Sequence, residues 1–369
     1  MSENPFKHVP DKIWNSIPKD HQGSIKWGNK HQFGHNKSLS TVCWQPFKGG
    51  SIDRLGNVYI CTCDGYLPVS VGHILDFENI EDIWNNPLAL ELQGTILDKT
   101  YLYCDVSNCG IKQTEKVNKE KALEFHEHYD LFVNIDESCN LRCPSCRDDL
   151  IFIKRDNVQF AKKIQMIDHL EKLIKKFDGQ ISLTTSGNGD PFASDIYQNF
   201  LKNINLKPGQ IINFLPNGLL LKTRCEVTPN LIETTQNFFI SVDAATKNTY
   251  EKVRPPAKWE RLIENLDYLA EKRFQPDNPS SPKFLVTIMF VISSLNFRDI
   301  PDLFNLCKKY NFKYKFSYLQ DWYTQEGAHF KKYAVHKSTH PDFREWQIMY
   351  QKYIREIDAG LSFSESSVN

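Results

Sequence analysis

The chain has 369 residues, 40% of them hydrophobic, and its 45 lysines and arginines balance its 45 aspartates and glutamates. This hydrophobic content can fill the core of one large domain or two. Balanced charge excludes an overall basic field for nucleic acid and an acidic solvating tail. The longest apolar run, residues 284–292, is too short to cross a bilayer, and no signal-peptide pattern begins the sequence. We therefore expect a cytoplasmic protein with no nucleic-acid and no membrane partner.

The ten cysteines are the most informative feature of the composition. Disulfides are rare in a reducing compartment, so grouped cysteines there indicate metal binding. Eight of the ten fall in two groups, one in the first third of the chain and one near its middle. The other two, Cys225 and Cys307, stand alone and are expected to pack in the core.

The N-terminal third is predicted to contain an irregular segment followed by a cysteine-rich block. Residues 1–40 are polar and lack periodicity. Residues 41–112 contain the pattern SIDRLGNVYIC, which predicts a hairpin with Cys61 on its return strand. Apolar residues between positions 80 and 92 predict a short pair of helices. The block holds five cysteines: Cys43, Cys61, Cys63, Cys104 and Cys109.

The rest of the chain alternates between strand and helix patterns. Residues 113–130 are charged and are predicted to form a linker, and residues 131–325 then contain six strand-like segments with helical patterns between them. This alternation predicts an α/β fold with a parallel sheet and helices outside it. Six strands close only part of a (β/α)8 ring. Residues 326–369 are predicted to form a capping helix at 341–357 and a tail.

The middle group of cysteines follows the first of these strands. Cys139, Cys143 and Cys146 form a C-x3-C-x2-C array with no fourth ligand nearby. A structural zinc site closes its shell with four ligands, whereas an iron-sulfur cube held by three cysteines keeps one iron open. Loops that follow strands of α/β folds are where active sites are built. The alternatives are cysteines that share this spacing by chance and a degenerate zinc knuckle.

This array, together with the motifs that follow it, resembles the radical S-adenosylmethionine (radical SAM) superfamily. The resemblance implies a 4Fe-4S cluster on Cys139, Cys143 and Cys146 whose open iron binds SAM. It also implies reductive cleavage of SAM to a 5'-deoxyadenosyl radical, which takes hydrogen from a substrate, and an external one-electron donor similar to flavodoxin or ferredoxin. The implied fold is a partial (β/α)6 barrel, which agrees with the six predicted strands.

Three downstream motifs carry the implied SAM site. The turn SGNGDP at residues 186–191 resembles the glycine-rich motif of the family, although Asp replaces the usual Glu. The turn PNG at 216–218 is similar to the turn beside the adenosine site. Ser241 and Asp243, at the end of the fourth predicted strand, resemble the S-x-D motif at the corresponding strand end of the family. Arg254 resembles the family's arginine that binds the carboxylate of SAM, with a surface ion pair as the alternative. The implied SAM-binding residues are Gly187, Gly189, Asp190, Asn217, Ser241, Asp243 and Arg254.

The N-terminal block resembles the SPASM and Twitch modules, which are auxiliary iron-sulfur domains that accompany radical SAM enzymes. Here the block precedes the implied catalytic domain, whereas the module usually follows it. The resemblance implies one auxiliary 4Fe-4S cluster, and a four-cysteine zinc site is the alternative. Cys63 is not needed as a ligand by either the iron-sulfur cluster or the zinc site. The implied ligands are Cys43, Cys61, Cys104 and Cys109.

The substrate is the least determined part of the prediction. The resemblance implies either oxidation or crosslinking of a ribosomally made peptide precursor (RiPP), or oxidation or epimerisation of a sugar or aminoglycoside. A third alternative is a non-catalytic zinc or iron-sulfur module that binds a partner. Gln320 and Asp321 follow the sixth strand and are candidate substrate contacts, with a solvated loop as the alternative.

Overall fold

The computed structural model describes residues 10–17, 19, 42–63, 65–104, 128–185, 188–275, 278–320 and 328–355. The protein is a mixed α/β structure in which most strand pairs are parallel. It divides into two compact units. The first comprises residues 1–136, 154–188 and 203–211, and the second comprises residues 137–153, 189–202 and 212–369.

The first unit contains the cysteine-rich block together with the first two strands of the alternating region. Its elements are α1 (Asp11–Asn15), α2 (Gln45–Lys48), β1 (Gly49–Ile52), β2 (Asn57–Tyr59), β3 (Gly72–His73), α3 (Asp82–Asn85), α4 (Pro87–Leu97), β4 (His128–Val133), α5 (Val158–Lys176) and β5 (Gln180–Thr185). The short helix α1 is a correction, because we expected residues 1–40 to be irregular.

The strands of the first unit follow the order β5-β4-β1-β2-β3. The predicted hairpin is confirmed, since β1 and β2 are antiparallel, but Cys61 lies beyond the end of β2 rather than on it. β1 also pairs in parallel with β4, with Gly50 opposite Leu131. The sequence did not predict this second pairing, which joins the hairpin to the parallel strands β4 and β5.

Asp53 closes the hairpin. Its Oδ1 accepts the backbone N–H of Leu55 (2.8 Å) and of Asn57 (2.9 Å), and its Oδ2 accepts the Tyr59 hydroxyl (3.1 Å). Gly56 follows with φ +89°, and a Cβ there would lie 2.4 Å from His73 Nε2. The turn therefore needs both the carboxylate at its start and a glycine near its end.

The second unit contains the remaining elements of the alternating region. They are α6 (Asp195–Asn203), β6 (Gln210–Phe214), α7 (Leu221–Val227), α8 (Asn230–Thr234), β7 (Thr235–Ser241), α9 (Lys247–Val253), α10 (Trp259–Lys272), β8 (Phe274–Gln275), β9 (Asn278–Pro282), β10 (Leu285–Ile292), α11 (Ile300–Tyr310), β11 (Lys313–Tyr318), α12 (Ala328–Tyr333) and α13 (Phe343–Tyr353).

Parallel strands in the order β6-β7-β10-β11 form the sheet of this unit. A row of buried aromatic rings crosses it, from Phe192 to Phe214 (5.2 Å between ring centroids), then to Phe238 (5.8 Å) and Phe284 (5.1 Å). β8 and β9 form a separate antiparallel ribbon. Neither this ribbon nor α7 was predicted from the sequence. The six predicted strands all appear, as β4, β5, β6, β7, β10 and β11.

Candidate active site and metal-binding regions

Hydrogen bonds at both ends fix the loop of the three-cysteine array. At its start, the Cys139 N–H donates to Ile151 O (2.7 Å), and the Ile153 N–H donates to Ser138 Oγ (2.9 Å). At its end, the Cys146 N–H donates to Cys143 O (2.8 Å). Cys143 is buried, Cys139 is half-buried and Cys146 is exposed. The loop thus holds three free thiols at different depths within the second unit.

Asp190 connects the cysteine loop to the turns that follow β5 and β6. Its backbone N–H donates to Ser138 O (2.8 Å). Its carboxylate accepts the N–H groups of Phe192 (2.9 Å), Ala193 (3.0 Å) and Asn217 (2.6 Å). Burial raises the pKa of this carboxyl, and the three N–H donors oppose that rise. A carboxylate has about four lone-pair positions, so one remains without a donor among these three contacts.

The turn after β6 contains Asn217 and Gly218. Asn217 Nδ2 donates to Asn140 Oδ1 in the cysteine loop (2.7 Å), and its Oδ1 accepts the Leu219 N–H (3.1 Å). Gly218 has φ +88°, and a Cβ there would lie 2.9 Å from Ile240 Cγ2. Only glycine fits this turn. The structure therefore brings together the cysteine loop and two of the predicted motifs.

Asp243 and Arg254 form a buried ion pair in the second unit. Asp243 has φ +55°, its Oδ1 accepts the Val291 N–H (2.7 Å), and its Oδ2 accepts a hydrogen bond from Arg254 Nη2. Arg254 Nη1 lies 3.8 Å from Cys143 Sγ. Burial alone would lower the pKa of Arg254, but the charges of Asp243 and Cys143 raise it overall. Arg254 does form an ion pair, as the alternative had it, but its side chain is only 12% exposed, so the pair is largely buried.

Arg147 is a second cation at the cysteines, and none of the predicted motifs includes it. Its Nη1 donates to Glu137 O (2.8 Å). Burial alone would lower the pKa of Arg147. Negative charge at Cys146, Cys139 and Cys143, together with a side-chain hydrogen bond to Cys146, raises this pKa overall. An arginine directly after the last cysteine of an array is a signal that sequence reading could have used. Two guanidinium groups therefore offset negative charge on the thiols.

Burial opposes deprotonation of the free thiols. It raises the pKa of Cys139 to about 11, with the charge of Asp190 adding to the effect. It also raises the pKa of Cys143, against which Arg254 acts. Metal ligation requires thiolates and releases their protons. Burial thus favours the neutral thiols at Cys139 and Cys143, and a metal that binds them has to displace their protons.

In the first unit, Tyr101 links two of the N-terminal cysteines. The Cys43 N–H donates to Tyr101 Oη (3.1 Å), and the Cys104 N–H donates to Tyr101 O (3.0 Å). Cys61 is fixed separately, because its carbonyl accepts Ser51 Oγ (2.9 Å). All three cysteines are buried, whereas Cys63 is half-buried. Tyr101, through its hydroxyl and its carbonyl, thus connects Cys43 to Cys104, two candidate ligands that are far apart in sequence.

Some predicted site residues lie elsewhere or outside the described residues. Gly189 is half-buried next to Asp190, Ser241 ends β7 with its N–H donating to Pro216 O (2.9 Å), and Gln320 is exposed beyond β11. Gly187, Cys109 and Asp321 lie outside the described residues, as does most of the predicted linker at 113–130. Within the described ranges, no group of three or more His, Cys, Asp or Glu side chains is placed to hold a single metal ion. No helix there has the length and apolar character to span a membrane.

Comparison with known families identifies two domains. The radical SAM superfamily matches residues 133–307, and SPASM, an iron-sulfur cluster-binding domain, matches residues 43–110. The chain therefore has a radical SAM domain and, ahead of it, a SPASM domain, which supports a radical SAM enzyme. Its cofactors are a 4Fe-4S cluster with SAM, and auxiliary iron-sulfur chemistry in the SPASM domain. A search of curated proteins found no match to the chain.

The residues of the second unit fit this cofactor set. Three thiols without a fourth ligand suit a cluster that keeps an open iron. Arg147 and Arg254 offset the negative charge of a thiolate-bound cluster, and Asp190 retains one acceptor position for an ammonium group. A cube binds its cysteines through different irons, so its thiols stand further apart than those around a single ion.

Proposed function

We propose that Cys139, Cys143 and Cys146 hold the SAM-binding 4Fe-4S cluster, and that the enzyme cleaves SAM reductively to take hydrogen from a substrate. Bound together, the cluster and SAM supply a 5'-deoxyadenosyl radical. The observation that carries this proposal is the placement of two arginines against the thiols of the array. The protein contributes binding, orientation and exclusion of water, since the cofactors supply the difficult step.

The proposed roles of the surrounding residues follow from their contacts. Asp190 and Gly189 would bind the ammonium group of SAM, with Gly187 contributing from the same turn. Asn217 would orient the adenosine side through the turn after β6. Ser241 and Asp243 would line the site at the end of β7. Arg254 has Nε without a hydrogen-bond partner among the described residues, which leaves a donor for the carboxylate of SAM.

We further propose that the radical SAM domain is a partial (β/α)6 barrel spanning residues 131–325, and that residues 41–112 form the auxiliary domain. The parallel order β6-β7-β10-β11 and the parallel pair of β4 and β5 support the barrel. One auxiliary 4Fe-4S cluster would be held by Cys43, Cys61, Cys104 and Cys109. The tie through Tyr101 supports the inclusion of Cys43 and Cys104 in one site.

For the substrate, we propose a ribosomally made peptide precursor that is oxidised or crosslinked. The SPASM domain favours this class, because such domains accompany many peptide-modifying radical SAM enzymes. Gln320, exposed beyond β11, would contact the substrate together with Asp321. The reducing electron would come from a flavodoxin-like or ferredoxin-like donor in the cytoplasm. If Gln320→Ala leaves both turnover and substrate affinity unchanged, the assignment of this segment is wrong while the enzyme class stands.

The decisive experiment uses anaerobically reconstituted enzyme, a reductant and SAM. We expect 5'-deoxyadenosine to form, and deuterium to appear in it when a pool of deuterated peptides contains the substrate. Visible charge-transfer absorbance distinguishes iron-sulfur clusters from zinc, which gives none. Deuterium transfer only from sugars would reject the peptide class. Absence of both 5'-deoxyadenosine and visible absorbance would reject the enzyme assignment.

A further inference from the structure

The ion pair of Asp243 and Arg254 depends on a strained backbone position. Asp243 has φ +55°, in the left-handed region that residues other than glycine rarely adopt. Such a conformation persists only where surrounding contacts hold it, and it recurs at functional sites. Val291, near the end of β10, and Asn296, in the turn that follows this strand, both form hydrogen bonds with Asp243.

Asn296 holds the backbone of Asp243. Its Nδ2 donates to Asp243 O (2.9 Å) and to Val291 O (2.8 Å). The Val291 N–H in turn donates to Asp243 Oδ1 (2.7 Å). The backbone and one carboxylate oxygen of Asp243 are therefore both bonded to the segment after β7's neighbour β10, and the other oxygen, Oδ2, accepts from Arg254.

The position of Asn296 is itself fixed. Its Oδ1 accepts the backbone N–H (2.8 Å) and the hydroxyl (3.1 Å) of Ser293. The amide thus uses both of its donors and both of its lone pairs, and the residue is only 2% exposed. An aspartate here would place an oxygen against two carbonyl oxygens. The site therefore requires an amide in one orientation.

A second side chain of the same turn fixes the start of α9. Asp299 Oδ2 accepts the N–H groups of Ala245 and Thr246 (2.9 Å each), and its Oδ1 accepts the Thr249 hydroxyl (2.8 Å). Arg254 directly follows the end of α9. Residues 293–299 thus hold Asp243 at one end of this stretch and the helix that leads to Arg254 at the other.

We propose that Asn296 is a positioning residue for SAM, which acts through Asp243 to orient the guanidinium of Arg254 toward the carboxylate of SAM. The inference rests on the proposed binding of SAM by Arg254. Without the amide, Asp243 can leave its strained conformation, and Arg254 Nη2 loses the fixed acceptor that orients its planar set of donors. SAM then binds more weakly, while its cleavage once bound is little affected.

The test is Asn296→Ala in the anaerobically reconstituted enzyme. We expect the dissociation constant for SAM, measured by anaerobic calorimetry, to rise about tenfold, because two hydrogen bonds that hold Asp243 and its neighbour are lost. The rate of 5'-deoxyadenosine formation at saturating SAM should stay within about twofold of the parent. A merely structural role would not separate affinity from rate in this way.

Asn86→Ala is the matched control. The Asn86 amide, in the first unit, also donates to two carbonyls, those of Asp82 (3.1 Å) and Ile83 (3.0 Å), and accepts two backbone N–H groups. Its loss should lower the melting temperature and leave the dissociation constant for SAM unchanged.

A milder variant keeps the test valid if Asn296→Ala does not fold. Ser293→Ala removes the hydroxyl bond to Asn296 Oδ1 and keeps the backbone N–H that holds the same oxygen. It should weaken SAM binding about twofold to threefold. In an Arg254→Gln background, neither change should weaken SAM binding further, because a residue that acts through Arg254 has no effect without it.

Two results would overturn this inference while the parent enzyme still forms 5'-deoxyadenosine. One is an unchanged affinity for SAM in both Asn296→Ala and Ser293→Ala. The other is a loss of affinity that is equally large in the Arg254→Gln background. Failure of the parent enzyme to bind and cleave SAM would instead overturn the proposed function.

Discussion

The two cysteine regions differ in how the chain brings their cysteines together. Cys139, Cys143 and Cys146 lie on one loop after one strand, with the backbone of Cys146 bonded to that of Cys143. In the first unit, Cys43 precedes α2 and Cys104 follows α4, and the two are connected through Tyr101. The three loop cysteines approach one another through short loop closures, whereas Cys43 and Cys104 approach each other only when their unit has folded.

The largest expected effect comes from the loop. Changing Cys143 to Ala removes one of the three proposed cluster ligands and should abolish formation of 5'-deoxyadenosine while the protein stays folded. The matched control is Cys307→Ala, which removes a buried, isolated thiol whose pKa burial raises to about 12. We measure 5'-deoxyadenosine by chromatography and folding by circular dichroism. Undiminished 5'-deoxyadenosine from Cys143→Ala would reject the radical SAM reading of the loop.

The corresponding change in the first unit should separate cleavage of SAM from turnover. Protein with two cubes holds about eight irons, and changing Cys104 and Cys109 together to Ala should lower this to about four. The double variant should still form 5'-deoxyadenosine but no product. It should also melt at a lower temperature, because ligand binding across distant segments stabilises the fold.

The zinc alternative has its own outcome in the same experiment. Zinc that remains bound in the parent protein and disappears from the double variant, with iron unchanged, would show that the N-terminal site is a structural zinc site. The comparison between the two regions would then be one of catalytic iron and structural zinc.

Much of both regions was predictable, because their main signals are local in sequence. The hairpin, the helix pair near Trp84 and the six alternating strands each follow from short-range patterns. The pairing of β1 with β4 joins segments that are far apart in the chain, and no periodicity encodes it. The same limit applies to Asp190, because it forms hydrogen bonds with backbone groups from three separate segments. The glycine-rich motif predicted only a SAM contact for Asp190, because no local pattern encodes these bonds.

A third prediction tests whether the hydrogen bonds of Asp190 stabilise the cysteine loop. Asp190→Asn replaces one carboxylate oxygen by an NH2 group, which cannot accept the buried N–H groups that Asp190 now binds. We expect the cluster-free protein to lose about 1–3 kcal/mol of stability toward unfolding and to hold less iron on the loop. The auxiliary iron should be retained, as judged in a Cys143→Ala background. Asp178→Asn, at a side chain that is 92% exposed, is the control with little expected change.

The smallest effect is expected from Asp53→Asn in the first unit, which corresponds to Asp190→Asn in the second. Asp53→Asn weakens the hairpin that precedes Cys61, because its NH2 group replaces one of the two accepting oxygens. Either the Leu55 and Asn57 N–H groups or the Tyr59 hydroxyl then lose their acceptor. These bonds lie nearer to solvent than those of Asp190, so we expect a loss of about 1 kcal/mol. Auxiliary iron should fall while 5'-deoxyadenosine formation is kept, which is the opposite pattern to Asp190→Asn. Loss of 5'-deoxyadenosine formation in Asp53→Asn would instead mean that the two regions do not act independently, since the hairpin also pairs with β4, the strand that precedes the cysteine loop.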